Sequence, residues 1–198
     1  MSRRILSTAL AIAFAVILAG CGEDEATQPE PVASGDIMPL EVGNRWDYEV
    51  YAFPGSGTPY KYLDSILIVG IDTTDDVISF VANGEDWFLN QNNGLWYLPD
   101  TAADWSLMFK YPAAVNDLWI TGGYSEFVMW VASTNAKVET PFGDYICYKY
   151  VRESRYGGGH AGYFYLVPDI GIVQYEYLDS SNIRIEERGQ LTALHLVE

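Results

Sequence analysis

Short runs of aromatic and β-branched residues, separated by turn residues, make up nearly all of the sequence after residue 41. Runs of this kind predict β-strands. Asn83-Gly84 is the strongest hairpin signal, and Asn93-Gly94 repeats it. No long helical segments separate the runs, so the pattern favours antiparallel pairing over a parallel sheet with crossover helices.

The strand prediction covers the whole region after residue 44. We expect strands at 45–53, 60–71, 77–82, 86–90, 95–98, 105–110, 117–121, 127–133, 136–139, 144–154, 162–167, 171–179, 183–188 and 191–197. The pattern indicates roughly 10–12 strands and little helix. A flat meander of this length would expose its edges, so we expect an all-β, antiparallel meander curled into a half-barrel or barrel-like sheet. A closed barrel, a half-barrel and a sandwich all remain compatible with the pattern.

The first 20 residues have the layout of a secretory signal peptide. Arg3 and Arg4 supply positive charge, residues 5–18 are almost entirely apolar, and Ala19 and Gly20 are small. The apolar run is shorter than the roughly 20 residues that a spanning helix needs. Residues 1–20 are therefore predicted to direct export and to be removed.

The four residues LAGC, at positions 18–21, resemble the bacterial lipobox. The resemblance implies cleavage before Cys21 and attachment of lipid to that cysteine, and two or more acyl chains anchor a protein stably. Gly22 follows, where Asp would imply retention at the inner membrane, so the analogy favours the outer membrane of the cell envelope. The alternative is an ordinary secretory leader in which Cys21 is incidental.

Residues 22–36 are rich in acidic residues, Pro, Gly and Ser, and cannot bury enough apolar surface to fold. The predicted organisation is therefore a signal peptide at 1–20, a lipidated cysteine and disordered acidic tether at 21–36, and a single β-domain at 37–198.

Charge and motifs exclude several classes of function. The formal net charge is −16, which argues against nucleic-acid binding. The sequence has no phosphate loop, nucleophile elbow or zinc-protease motif, so we expect no enzyme activity and no cofactor. His160 and His195 are too few for most metal sites, Cys147 is predicted to be a buried inert thiol, and the acidic turn from Asp72 to Asp76 is predicted to be solvated.

Aromatic residues are the unusual feature of the composition, with 15 Tyr, 6 Trp and 8 Phe. Many lie two positions apart, which places both on one face of a strand. Such pairs often only pack across strands, but tyrosine and tryptophan also suit apolar ligands or sugars. The candidate ligand-binding residues are Trp46, Tyr48, Tyr148, Tyr150, Tyr163, Tyr165 and Tyr175.

Three further segments resemble a family of bacterial envelope lipoproteins. PLEVGNRWDY at 39–48 is similar to that family's PLxVGNxWxY opening, TPFGDY at 140–145 to its second landmark, and YFYLVPDIGIV at 163–173 to its third. The resemblance implies a strand meander curled towards a half-barrel, loosely like envelope lipid-carrier lipoproteins. Each landmark also contains a turn between strands, which is a structural role.

These observations predict a non-enzymatic, membrane-anchored envelope lipoprotein that binds an apolar or lipid-like ligand in its curled sheet. The first alternative is a glycan- or protein-binding module that uses exposed aromatic residues. The second is a hydrolase with a carboxylate pair that spacing in the sequence does not reveal.

Overall fold

The computed structural model describes residues 36–55, 57–74, 76–99, 104–122, 127–155, 161–179, 181–182 and 184–197. The described residues belong to one compact unit, Ala33–Glu198. The predicted signal peptide, Cys21, nearly all of the predicted tether and His160 lie outside the described residues.

Within the described part of the chain, the secondary structure consists of β-strands, with no helix. The strands are β1 (Arg45–Ala52), β2 (Tyr60–Thr74), β3 (Val77–Ala82), β4 (Asp86–Gln91), β5 (Gly94–Pro99), β6 (Ser106–Lys110), β7 (Leu118–Thr121), β8 (Phe127–Thr140), β9 (Gly143–Ser154), β10 (Gly162–Val167), β11 (Gly171–Leu178) and β12 (Ile185–His195). Accordingly, none of these residues forms a helix that could cross a membrane.

The strands form one antiparallel sheet in the order β6-β5-β4-β3-β2-β1-β12-β11-β10-β9-β8-β7. Strands that follow each other in sequence are neighbours, except that β6 and β7 form the two edges of the sheet, and the first and last strands pair at its centre. The two outer strands approach each other, because Trp119 Nε1 in β7 donates a hydrogen bond of 3.0 Å to the Leu107 carbonyl oxygen in β6. The sheet is therefore nearly closed, which confirms the predicted all-β, barrel-like meander.

Alternation along each strand sends one set of side chains into the interior of the curled sheet. In β1, Trp46, Tyr48, Val50 and Ala52 are all buried, while the residues between them are exposed or half-buried. The inward set of neighbouring strands joins them in a single hydrophobic core. This is the period of two expected for a sheet with one buried face.

Two pairs of predicted strands are continuous in the structure. Segments 127–133 and 136–139 form β8, where the intervening polar residues are accommodated as bulges. The second pair corresponds to segments 183–188 and 191–197, between which β12 (Ile185–His195) is continuous, with Gly189 inside the strand, opposite Val50 of β1 and Tyr175 of β11. The prediction of a break there is wrong, because this glycine makes room for a neighbouring ring and does not turn the chain.

One end of the curled sheet is closed by the segment that precedes β1. Ile37 and Met38 are almost completely buried. Asn90 Nδ2 donates a 2.7 Å hydrogen bond to the Met38 carbonyl oxygen, and Trp46 Nε1 donates one of 2.6 Å to the Ile170 carbonyl oxygen. These contacts fix the closed end, so solvent reaches the interior from elsewhere.

Candidate functional site

Two tyrosines of β11 lie against glycines on the neighbouring strands. Tyr175 is opposite Gly189 of β12, and Tyr177 is opposite Gly162 of β10. A Cβ atom added at Gly189 would overlap the Tyr175 ring, and one at Gly162 would lie 2.5 Å from the Glu176 carbonyl oxygen and 3.3 Å from Tyr177 Cδ1. The glycines therefore let both rings lie close to the sheet, an arrangement in which an aromatic ring covers a strand glycine.

These two rings line a cavity of about 300 Å³ inside the curled sheet, here called the interior cavity. Its apolar lining comes from six strands and from the segment before β1: Met38, Ile66, Ala82, Phe88, Met108, Phe164 and Ile172. Most of its polar lining consists of tyrosine hydroxyls and carboxylates. A concave, mainly apolar space with a few polar groups is the usual form of a small-molecule site.

Aromatic rings form two walls of the interior cavity. On one side, the Tyr175 ring lies 5.8 Å from that of Tyr48 and 5.3 Å from that of Tyr177. On the other side, Phe88 of β4 and Tyr97 of β5 lie 5.4 Å apart between ring centroids. These distances are typical of favourable aromatic pairs, so the walls are held by their own packing.

Three carboxylates also line the interior cavity: Asp64, Asp86 and Glu187. The Tyr62 hydroxyl donates a hydrogen bond of 2.9 Å to Glu187 Oε2, and the Tyr97 hydroxyl donates one of 2.8 Å to Asp86 Oδ1. Among the described residues, no lysine, arginine or histidine nitrogen lies within 4.0 Å of these three carboxylates. The lining therefore carries negative charge without a paired cation in the described part of the chain.

The tyrosines around the interior cavity hold their protons tightly. Burial raises the pKa of Tyr175 well above its ordinary value, and the nearby charges of Glu187 and Asp64 raise it further. Burial and the hydrogen bond to Glu187 raise the pKa of Tyr62 to about 12. At neutral pH these hydroxyls are therefore neutral hydrogen-bond donors.

The interior cavity opens beside the first half of β2. β1 pairs with residues 60–67 of β2, whereas the pairing with β3 begins only at Ile68. Residues 60–64 are all exposed, on both faces of the strand. The Asn83-Gly84 hairpin borders the gap, since Asn83 Nδ2 donates to the Ser65 carbonyl oxygen at 3.0 Å. A small molecule can therefore reach the cavity at this edge.

Two further cavities adjoin the interior cavity. One of about 120 Å³ shares Tyr97, Met108 and Phe164 with it and includes Arg152. The other, of about 390 Å³, shares Tyr177 and Glu187 with it. The shared residues make the three spaces neighbours along the interior of the sheet.

The structure separates the seven candidate residues into three groups. Tyr48 and Tyr175 line the interior cavity. Trp46 lies at the closed end, and Tyr148 and Tyr150 are buried in the core, where Tyr150 packs against Phe109 and Trp119.

Tyr163 and Tyr165 form the third group, on the outward face of β10. Lys149 Nζ lies 4.3 Å from the Tyr163 ring centroid and 5.4 Å from that of Tyr165. Their register explains this position, because Phe164 between them points inward, opposite Tyr150 and Tyr175. The geometry therefore brings only two of the seven candidates into the interior cavity.

Sequence reasoning missed Phe88, Tyr97 and the three carboxylates. Asp64 faces the cavity because it lies opposite Tyr48, and Glu187 does so because it lies opposite Ala52 and Tyr177. Neither pairing is visible from spacing along the chain. Tyr177, which also lines the cavity, lies two positions from the candidate Tyr175, the spacing shown by the other aromatic pairs. That spacing was the signal from which the sequence could have added Tyr177 to the predicted site.

Other residues considered from the sequence lie outside this site. Cys147 is completely buried, and burial raises its pKa to about 12. His195 is exposed on the outward face, with Nε2 3.4 Å from Asp47 Oδ2. No group of three or more His, Cys, Asp or Glu side chains among the described residues is arranged to hold a metal ion.

The fold and site define a class: an antiparallel, barrel-like sheet protein with an aromatic, acidic cavity that opens at one edge. No protein-family model matches the sequence, and no curated protein matches it significantly. The resemblance to envelope lipoproteins therefore stays a prediction.

Two solved structures are similar to this chain. One is a protein of Bacteroides fragilis described as exported, with a YmcC-like fold; it is 13% identical, has a TM-score of 0.48, and the match covers 82% of this chain and 100% of that one. The other, of Parabacteroides distasonis, is described as a lipoprotein; it is 15% identical, has a TM-score of 0.39, and the match covers 81% and 99%. The fold assignment above depends on the strand pairing of this chain alone.

Proposed function

We propose that this protein is a membrane-anchored envelope lipoprotein that binds a small apolar or lipid-like ligand in the interior cavity. The observation that supports the proposal is the cavity itself, about 300 Å³ of space inside the sheet, lined by apolar and aromatic side chains. Small-molecule pockets range from roughly 300 to 1,000 Å³, so the space is large enough for one small ligand.

The physical basis of binding is removal of apolar ligand surface from water. Burial contributes about 25 cal/mol for each Å² of apolar area. The aromatic walls, Tyr48 with Tyr175 and Phe88 with Tyr97, are already packed against one another in the structure. These side chains need little further ordering when a ligand binds. A site whose side chains are already in place binds more tightly than one whose side chains must first be ordered.

The proposed location follows from the sequence. Lipid on Cys21 anchors the protein, with the outer membrane favoured, and residues 22–36 connect the anchor to the sheet domain. Fifteen residues extend at most about 50 Å. The domain would therefore meet its ligand close to the membrane surface, and the role is non-enzymatic.

The two alternatives predict different results. A glycan- or protein-binding surface would use exposed aromatic residues; the outward pair Tyr163 and Tyr165 is covered in part by Lys149, whereas the stacked rings of Tyr60 and Tyr62 are exposed. A hydrolase would use Asp64, Asp86 or Glu187, which share the cavity, and predicts a ligand that is turned over. Binding without turnover separates the proposal from this second alternative.

Native mass spectrometry tests the proposal on the lipid-free mature chain, which comprises residues 21–198 with Cys21→Ser. After secretion into a bacterial envelope and purification without detergent, we expect a fraction of the protein to carry one apolar small molecule. Unfolding should release that molecule chemically unchanged.

A matched pair of variants locates the bound molecule. Ala82→Leu fills part of the interior cavity, whereas Ala132→Leu adds the same atoms at an exposed position of β8. The adduct should be lost in the first variant and kept in the second. Protein without any adduct, even after incubation with membrane lipid extract, would contradict the proposed function.

A further inference from the structure

We propose that the ligand of the interior cavity is an organic cation, with an apolar or aromatic body and one ammonium or guanidinium group. This inference rests on the proposed function, because it names the charge of the molecule that the same cavity binds. It depends on the carboxylates, the aromatic faces and the position of the opening, and each of these favours the same kind of ligand.

The carboxylate oxygens of the interior cavity can accept further hydrogen bonds. Glu187 and Asp86 each receive a tyrosine hydroxyl on one oxygen, and Asp64 Oδ1 receives the backbone N–H of Ser65. Within the described residues, the second oxygen of each carboxylate has no hydrogen-bond donor. The cavity therefore presents three acceptors in negatively charged groups, which is the arrangement that an ammonium or guanidinium group needs.

Aromatic rings beside these carboxylates present faces that can attract a cation. Tyr48, Tyr175 and Tyr177 form a continuous set of rings beside Asp64 and Glu187. Their hydroxyls stay protonated, so the rings keep the neutral, electron-rich faces that attract cations. Tyr177 already shows this preference, since the Arg152 guanidinium carbon lies 5.1 Å from its ring centroid.

Acidic groups outnumber basic ones around the interior cavity. Arg152 lines the adjoining smaller cavity, where its guanidinium carbon lies 5.1 Å from the Tyr177 ring centroid. Even when Arg152 is counted, the carboxylates around these spaces outnumber the cation three to one. A cleft lined by one sign of charge concentrates ligands of the opposite sign, and an anionic ligand would meet uncompensated repulsion.

Carboxylates stand at the opening of the interior cavity. Asp64 lies in the exposed segment of β2 at the gap, Glu187 accepts a hydrogen bond from Tyr62 of the same segment, and Asp86 is half-buried on β4. A cation that enters beside β2 therefore meets two carboxylates near the opening. Its apolar body can then contact Phe88, Phe164 and the tyrosine rings.

Calorimetric titration with three probes tests the inference. Decyltrimethylammonium, decanol and decanoate share one alkyl chain and differ in charge, and each is used below the concentration at which it forms micelles. The protein is the lipid-free mature chain. We expect the cation to bind at least about tenfold more tightly than decanol, and decanoate to bind least. The preference for the cation should decrease as salt concentration rises.

Variants assign the preference to the carboxylates. Glu187→Gln combined with Asp64→Asn should weaken binding of the cation about tenfold or more and leave the affinity for decanol nearly unchanged. Glu153→Gln removes one negative charge from the outward face of β9 and should change neither affinity. Circular dichroism of each variant verifies that it is folded, and the comparison of the three probes on the unaltered cavity needs no variant.

The outcomes separate this inference from the proposed function. Equal binding of cation and alcohol, or tighter binding of decanoate, overturns the inference while the proposed apolar site stands. Absence of binding by all three probes overturns both. A preference for the cation that the double variant does not reduce also overturns the inference, because the preference would then not come from the carboxylates of Asp64 and Glu187.

Discussion

Gly189 is the residue on which the packing of the interior cavity depends most directly. It is buried in β12, opposite both Val50 and Tyr175. A Cβ atom at this position would overlap two ring atoms of Tyr175 and lie 2.7 Å from its hydroxyl oxygen. In Gly189→Ala the Tyr175 ring must move, but it is confined by the neighbouring rings of Tyr48 and Tyr177.

The expected cost follows from overpacking. Forcing one extra carbon into a packed interior typically costs about 1–3 kcal/mol. For a domain of this size, each kcal/mol lowers the melting temperature by roughly 2–4 °C. We therefore expect Gly189→Ala to reduce the free energy of unfolding by about 1–3 kcal/mol in urea titrations. Its displacement of Tyr175 should also weaken ligand binding.

Gly70→Ala provides the matched control. Gly70 also lies in a strand, but a Cβ atom there would meet nothing within 4 Å. Replacing a strand glycine without strain stabilises by up to about 1 kcal/mol, since the unfolded chain loses freedom. The two substitutions should therefore change stability in opposite directions.

A double-mutant cycle shows whether the Tyr175 ring is the cause. Tyr175→Ala alone should destabilise, because it removes a large buried ring. In that background the methyl group added by Gly189→Ala has room, so the double variant should be more stable than the sum of the single effects by at least about 1 kcal/mol. Additive effects, or a Gly189→Ala variant as stable as the natural protein, would refute this account of the packing.

Three further predictions concern the anchor, the buried thiol and the tyrosines. Cys21→Ser in the full chain should move the protein from the membrane fraction to the soluble envelope fraction; retention in membranes argues against the anchor. Native Cys147 should resist alkylation at pH 8 and react only after unfolding, because it is buried and its pKa is raised to about 12; labelling of the folded protein counts against that environment. Burial raises the pKa values of Tyr48 and Tyr175 in the folded protein above the ordinary value of 10.0. Above about pH 10 the unfolded chain therefore loses protons that the folded protein keeps, so the free energy of unfolding should fall as pH rises. Phenolate absorbance should then rise together with unfolding, and phenolates formed in the folded state at lower pH would contradict the burial.

The fold was largely predictable because its determinants are local. Alternation in β1 and the Asn83-Gly84 turn are visible in any short window of sequence, and both are present in the structure. The continuity of β12 through Gly189 was not predicted, because a strand glycine and a turn glycine look the same until the ring opposite is known.

The site was less predictable because it depends on register. β10 carries aromatic residues on both faces, with Tyr163 and Tyr165 outward and Phe164 inward, so spacing alone cannot assign the inward face. Asp64 and Glu187 face the cavity through pairings with residues at least ten positions away. A sequence supplies the alternation within each strand, but the offset between distant strands comes from packing of the whole sheet.

Titration with N-phenyl-1-naphthylamine, a neutral apolar dye that fluoresces when it leaves water, tests the central claim most directly. The lipid-free mature chain should bind the dye saturably, with one dye molecule per protein. Ala82→Leu, which adds bulk inside the interior cavity, should weaken binding about tenfold or more, and exposed Ala132→Leu should have no effect. Absence of saturable binding, or equal binding by both variants, would contradict the claim that the interior of this sheet is a ligand site.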